Sequence, residues 1–186
     1  MEQTNYTQLR AYAAQYGTIV GLMWIVSFAF FIAGLTQPLV GNASLLIGMV
    51  SVAIAGYLIR KFRHDVAAIR FRQAWWMSTQ IFMYASLLMA IAQFVYFRFI
   101  DDGLLIRTYT EVMQQPEAAA MMQSMMPGED VTAIVADVTA QLQQITPIQL
   151  TFEFLVYNLL LGFILSIPTA WIGIFGRKSD ANTLKR

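Results

Sequence analysis

The sequence predicts an all-α membrane protein with four transmembrane helices, both termini in the cytoplasm, and a helical extracytoplasmic insertion between helices 3 and 4. Of the 186 residues, 58% are hydrophobic and only 12% are charged; an average soluble domain has about 25% charged residues. Residues 11–59, 73–97 and 154–176 contain no Asp, Glu, Lys or Arg. Each of these runs is longer than the roughly 20 residues that a helix needs to cross a bilayer.

The first uncharged run is long enough to cross the membrane twice. The segment TQPLVGNA, residues 36–43, interrupts it with a proline, a glycine and an asparagine, which favour a turn over continued helix. We therefore predict spans at about 16–35 and 43–59, and Pro38 argues against the alternative of one very long helix. The first span is expected to be retained, because the first fifteen residues lack the basic character of a signal peptide.

The second and third uncharged runs predict one span each, at about 74–97 and 148–175. Thr146 and Pro147 are residue types that favour an N-cap and a first helical position, so the fourth helix is expected to begin there. Pro168 removes one backbone hydrogen bond inside this span and predicts a helix kink.

The distribution of Lys and Arg predicts the orientation, because cytoplasmic loops are enriched in both. The loop after span two and the C-terminal tail are basic, whereas the connection after span three holds seven acids and two arginines, so it is expected to lie outside. The basic residues are Arg60, Lys61, Arg63, Arg70 and Arg72 in the loop and Arg177, Lys178, Lys185 and Arg186 in the tail. The acids are Asp101, Asp102, Glu111, Glu117, Glu129, Asp130 and Asp137.

The connection at residues 100–146 predicts an extracytoplasmic amphipathic helical segment. Gly128-Glu129-Asp130 favours a helix start, because acids suit the positive N-terminal end of a helix dipole. One or two further helical pieces are expected over 104–113 and 118–126, interrupted at Pro116 and Pro127. Beyond residue 130, apolar residues recur at helical steps of three and four: Val131, Ile134, Val135, Val138, Leu142 and Ile145.

Glu153 is the only acid inside a predicted span and is the first candidate for function, because ionisable groups in the membrane are costly. It would lie about 9 Å below the start of the fourth helix, near the outer interface. Three interpretations stay open: contact with headgroups or a polar neighbour, a proton or cation relay, or a salt bridge to Arg98 or Arg107. With Tyr157 and Asn158 it forms a candidate intramembrane polar site.

The five basic residues of the loop at 60–72 are candidate membrane-interface groups. Each lies beside anionic headgroups and contributes about 1 kcal/mol there, and Trp75 and Trp76 mark the interface. This favours lipid anchoring and a role in setting the topology, with a docking site for a cytoplasmic partner as the alternative and no role for nucleic acid. The small-residue pairs Gly17/Gly21, Ser44/Gly48 and Gly162/Ser166 predict close helix contacts, within the chain or in an oligomer.

The chain lacks the residues that several kinds of catalytic and metal-binding chemistry require. The chain has no cysteine and a single histidine, His64, so thiol chemistry and multi-histidine metal centres are excluded within one chain. The methionines at 121, 122, 125 and 126 have the softness that Cu(I) prefers, or they form an adaptable apolar surface. No P-loop, GxSxG or HExxH motif is present. We expect no enzyme activity, no cofactor and no metal.

Two stretches carry a family resemblance: RKFRHDVAAIRFRQAWW at 60–76, which leads into an aromatic third span, and FLVYNLLLGFILSIPTAWIGIFGRKS at 154–179, which ends in a basic tail. With the early pair of spans and the long connection, they resemble the domain-of-unknown-function 4199 family, multi-pass membrane proteins found mainly in Bacteroidetes bacteria. The resemblance implies a location in the bacterial inner membrane and no established activity.

The expected function is that of a non-catalytic membrane component that presents an outer helical surface to an envelope protein partner, to lipid, or to a second copy of itself. The long amphipathic connection and the scarcity of polar groups in the spans support this hypothesis. The alternative is a small transporter or permeation protein that uses Glu153 and the kinked fourth span. A lipid-modifying enzyme at the outer interface is a third hypothesis.

Overall fold

The computed structural model describes residues 2–128 and 130–175, with side chains from Tyr6 onward. Within these residues the chain forms helices and no strand, which confirms the all-α prediction. Glu129 and the predicted basic tail lie outside the described residues. The helices are α1 (Glu2–Thr36), α2 (Pro38–Asp65), α3 (Phe71–Phe99), α4 (Leu104–Met113), α5 (Pro116–Met125), α6 (Val131–Leu142) and α7 (Pro147–Ile174).

Four of these helices, α1, α2, α3 and α7, are long and apolar enough to cross a membrane. They indicate a multi-pass membrane protein, and each overlaps one predicted span. The helices are longer than the predicted spans; α2, for example, continues through the basic residues to Asp65. A helix need not end where the apolar run ends, since no proline or glycine interrupts α2 there.

The break between α1 and α2 is confirmed but is much shorter than predicted. Only Gln37 lies outside the two helices, in an extended conformation with φ −132° and ψ 90°. Pro38 begins α2, where its missing N–H is not needed. Gly41, expected in the turn, lies inside α2 and packs directly against Gly34 of α1. Because neither residue has a side chain, the two helices can fold back on each other at once.

The chain divides into two compact units. We call Met1–Ile91 with Phe154–Arg186 the bundle unit, and Ala92–Glu153 the connecting unit. The bundle unit contains α1, α2 and most of α3 and α7. The connecting unit contains α4, α5 and α6, together with the end of α3 and the beginning of α7.

In the bundle unit, α1 packs against both α2 and α3. The indole N–H of Trp24 donates to the hydroxyl of Ser51 on α2 at 2.9 Å. The Trp24 ring also stacks on Phe82 of α3, with a centroid distance of 5.7 Å. A Cβ placed on Gly17 would lie 2.6 Å from the Cβ of Tyr84 on α3, so only glycine allows this approach.

Helix α7 packs against the same two helices, α2 and α3. Gly162 lies against Phe82 of α3, where a Cβ would meet the Cβ of Phe82 at 2.7 Å. One turn further along α7, the Trp75 indole of α3 donates to the hydroxyl of Ser166 at 2.8 Å. Gly56 of α2 is in similarly close contact with α7. Within this unit the contacts therefore run in a ring, from α1 to α2, α7, α3 and back to α1.

The predicted small-residue pairs lie mostly at contacts inside the chain. Gly17 and Gly162 face α3 in this way, and Ser44 accepts or donates a hydrogen bond with Ser27 at 3.1 Å. Gly48 is different, because nothing lies within 4 Å of the position its Cβ would take. Buried polar side chains of the described bundle unit are all neutral: Ser51, Ser78, Gln80, Ser86, Ser166 and Thr169.

Candidate functional site

Two helices of the connecting unit, α4 and α6, begin beside an aspartate that accepts backbone hydrogen bonds. Asp101 accepts a hydrogen bond from the backbone N–H of Leu104 at 3.1 Å, just before α4. Asp130 caps α6 by accepting from the N–H groups of Thr132 and Ala133 at 3.0 and 3.2 Å. The helix start predicted at residues 128–130 is therefore confirmed through Asp130.

The start predicted for the fourth span is also confirmed. The side chain of Gln149 accepts from the backbone N–H of Thr146 at 2.9 Å, and the Thr146 hydroxyl accepts from the Gln149 N–H at 3.4 Å. This reciprocal pair is a capping box, and Pro147 is the first residue of α7. Glu153 consequently lies about 9 Å along the helix from its start.

Helix α6 is amphipathic, as predicted. Val131 is buried and is followed by half-buried apolar side chains, whereas residues between them such as Thr132 and Asp137 are exposed. The half-buried positions are Ile134, Val135, Val138 and Leu142. The apolar stripe of α6 is thus partly covered within the connecting unit.

Helices α4 and α5 leave apolar side chains in the open. Neither contains a buried residue, and Tyr109 and Val112 of α4 are each about half exposed. On α5, Met121 is 60% exposed and Met125 is 67% exposed. Residues four apart are neighbours on a helix surface, so we call these two side chains the methionine pair. Solvent-exposed apolar residues on two neighbouring helices are a feature of interaction surfaces.

A cleft of about 750 Å³ lies among α4, α5 and α6. Its lining is uncharged and combines small side chains with glutamine amides, among them Ala120, Ala136, Gln114 and Gln143. The hydroxyl of Thr139, which also lines it, is buried and has no hydrogen-bond partner among the described residues. This hydroxyl is too deeply buried for a group in the cleft to reach, whereas the uncharged lining around it suits an uncharged side chain or ligand.

The predicted intramembrane polar site is spread over the surface of α7. Glu153 and Tyr157 are exposed, and Asn158 is half-buried. Within the described part of the chain, no ion pair joins Glu153 to Arg98 or Arg107. The guanidinium of Arg98 lies instead over the ring of Phe99, 6.0 Å from its centroid. The relay and headgroup interpretations of Glu153 stay predictions.

Helix α7 continues through Pro168 to Ile174. A groove runs beside this proline, where the break in hydrogen bonding makes a binding site possible, and Arg60, which the sequence does not place near α7, is one of its lining residues. Arg60 and Pro168 are more than 100 residues apart, and no pattern in the sequence indicates that they are neighbours in the fold.

The other basic residues of the loop differ in their contacts. Arg63 donates to the backbone carbonyl of Ile174 at 2.8 Å, so it holds the end of α7. Lys61, Arg70 and Arg72 are exposed, as are His64 and Asp65, whose Nδ1 and Oδ1 atoms lie 2.7 Å apart. Of the five predicted interface residues, Arg60 and Arg63 are thus the two that the structure brings to α7.

Comparison with known proteins gives one match. A family model described as "Protein of unknown function (DUF4199)" matches residues 15–173, the greater part of the chain. No curated protein matches the chain. No solved structure matches it either.

Proposed function

The chain belongs to the DUF4199 family, and we propose that it is a non-catalytic membrane component whose connecting unit binds a partner protein of the cell envelope. The observation that carries this proposal is the exposure of apolar side chains on α4 and α5, above all of the methionine pair. Methionine side chains are flexible and polarisable, and they are common on surfaces that accept protein partners.

The charge of the connecting segment favours a protein over the membrane surface as the partner. Helices that lie on membranes are rich in Lys and Arg, which are attracted to anionic headgroups. The segment at 100–146 contains seven acids and a single arginine, Arg107, so an anionic surface would repel it. The partner that fits has an apolar patch surrounded by basic side chains.

The cleft among α4, α5 and α6 supports the same proposal. It adds an uncharged concave site beside the exposed methionines. A protruding side chain of the partner would fit into this cleft. Interfaces commonly combine such an anchor pocket with surrounding apolar contacts.

The transport hypothesis has less support. Glu153 and Tyr157 are exposed, and the buried polar side chains described in the bundle unit are hydroxyls and one amide, none of them ionisable. This arrangement is that of a closely packed bundle, and it gives no support to a path that conducts protons or ions.

We further propose that the protein lies in the inner membrane with both termini in the cytoplasm and the connecting unit outside, as the charge distribution predicts. A reporter fused after Arg186 should then be active only as a cytoplasmic reporter, and one inserted near Gly128 only as an extracytoplasmic reporter. The reverse pattern would contradict the proposed orientation.

The partner proposal is tested by Met125→Glu. This change puts a charge on the exposed apolar surface, and we expect it to reduce co-purification of the partner by at least about tenfold, a loss typical of a central interface residue. The measurement is the yield of co-purified protein from native membranes at native expression level. The control is Gln115→Glu, which adds the same charge at an exposed polar position of the connecting unit. Equal yields from both variants and the unchanged chain would contradict the proposal.

A further inference from the structure

A groove lies between α2 and α7 in the bundle unit, near the C-terminal ends of both helices. Its volume is about 720 Å³, and it is a shallow groove that is open over much of its surface. It is lined by Arg60, Ile167, Pro168, Trp171, Ile172 and Phe175.

Close packing fixes the relative positions of the two helices that form the groove. Gly56 of α2 lies against Ile172, and Gly173 of α7 lies against Ile59; in both places a Cβ on the glycine would be less than 3 Å from the isoleucine. The Arg63 hydrogen bond to the carbonyl of Ile174, the last residue of α7, adds a polar contact at the same end. The groove is therefore pre-formed and does not depend on a ligand to bring its walls together.

The lining combines a long apolar wall with one cation. Trp171 is 53% exposed and Phe175 is 68% exposed, so the wall opens sideways, toward the lipid in a membrane. Arg60 is the first charged residue after the uncharged run at 11–59, which places it where α2 leaves the hydrocarbon region. Arginine binds phosphate oxygens in a bidentate fashion, and tryptophan is enriched at the same depth.

We propose that this groove binds one anionic phospholipid. The guanidinium of Arg60 pairs with the phosphate of the headgroup, and an acyl chain lies against Ile167, Trp171 and Phe175. Lys61 is exposed next to Arg60, and its charge favours a headgroup that is negative overall over one that is zwitterionic. The site is in the bundle unit, so the proposal does not depend on a partner for the connecting unit.

The test uses the full chain in nanodiscs of phosphatidylcholine that contain a small fraction of phosphatidylglycerol with a photoreactive acyl chain. After irradiation, the lipid label on residues 167–175 is quantified by mass spectrometry. Arg60→Gln should lower this labelling roughly fivefold, the effect of one basic contact with an anionic lipid. Arg72→Gln is the matched control, because it removes an equal charge from an exposed position outside the groove, and it should leave the labelling unchanged.

A second variant tests the apolar wall without changing charge. Ile167→Trp fills the groove and should also lower the labelling, and it carries the test if Arg60→Gln fails to fold. Unlabelled phosphatidylglycerol should compete for the site, whereas inorganic phosphate should not. Equal loss in Arg60→Gln and Arg72→Gln would overturn the proposal in favour of general surface attraction, and competition by inorganic phosphate would overturn the assignment to lipid.

Discussion

Gly17→Leu is expected to lower the free energy of unfolding of the bundle unit by about 1–3 kcal/mol or more, the effect of overpacking a close contact. A Cβ at this position would lie 2.6 Å from the Cβ of Tyr84 and 2.9 Å from the carbonyl oxygen of Ile81. The carbonyl belongs to the backbone of α3, so it cannot give way unless the helix moves. A leucine side chain would therefore force α1 and α3 apart.

Gly48→Leu is the control for this prediction. It makes the same substitution in a neighbouring helix, and nothing lies within 4 Å of the added Cβ. Thermal unfolding of the purified protein in detergent should show a clearly lower midpoint for Gly17→Leu only. Equal midpoints for the two variants would show that the α1–α3 contact is not as close as described.

Ser51→Ala is expected to lower the free energy of unfolding by about 1–3 kcal/mol, because it leaves a buried donor without a partner. The Ser51 hydroxyl accepts from the indole N–H of Trp24 at 2.9 Å and donates to the carbonyl of Gly48 at 2.6 Å. Ser51 is fully buried and Trp24 is 8% exposed, so water does not readily replace the lost partner.

Ser86→Ala provides the matched comparison. Ser86 is also fully buried, but its hydroxyl donates only to the carbonyl of Phe82 on the same helix, so its removal leaves no donor unpaired. The free energy of unfolding should fall much less than in Ser51→Ala. In a double-mutant cycle, Trp24→Phe should remove most of the additional effect of Ser51→Ala. If the changes in the free energy of unfolding caused by Trp24→Phe and Ser51→Ala are simply additive, the Trp24–Ser51 hydrogen bond contributes nothing to stability.

The number and kind of the long helices could be predicted because they follow from local sequence. Uncharged runs of membrane-spanning length predicted all four long helices, and the residue types at Asp130 and Thr146 predicted where α6 and α7 begin. The turn prediction was wrong in extent, since residues 38–43 are helical. The turn is tight because Gly34 of α1 contacts Gly41 of α2, and a contact between two helices does not follow from local sequence.

The pairing of the helices and the groove could not be predicted because they depend on distant residues. Trp75 bonds to Ser166, which is 91 positions away, and Arg63 bonds to Ile174, which is 111 positions away. Periodicity and composition carry no information about such partners. Glu153 was singled out by its charge alone, and the structure leaves it exposed on α7.

The most direct test of the proposed role is the mass and subunit composition of the complex, extracted gently from its native membrane at native expression level. We expect a second protein in a fixed ratio to this chain, present in the Gln115→Glu variant and lost from Met125→Glu. If the unchanged chain and both variants are each recovered without a second protein, as a monomer or a homo-oligomer, the proposal that the connecting unit binds a partner protein is wrong.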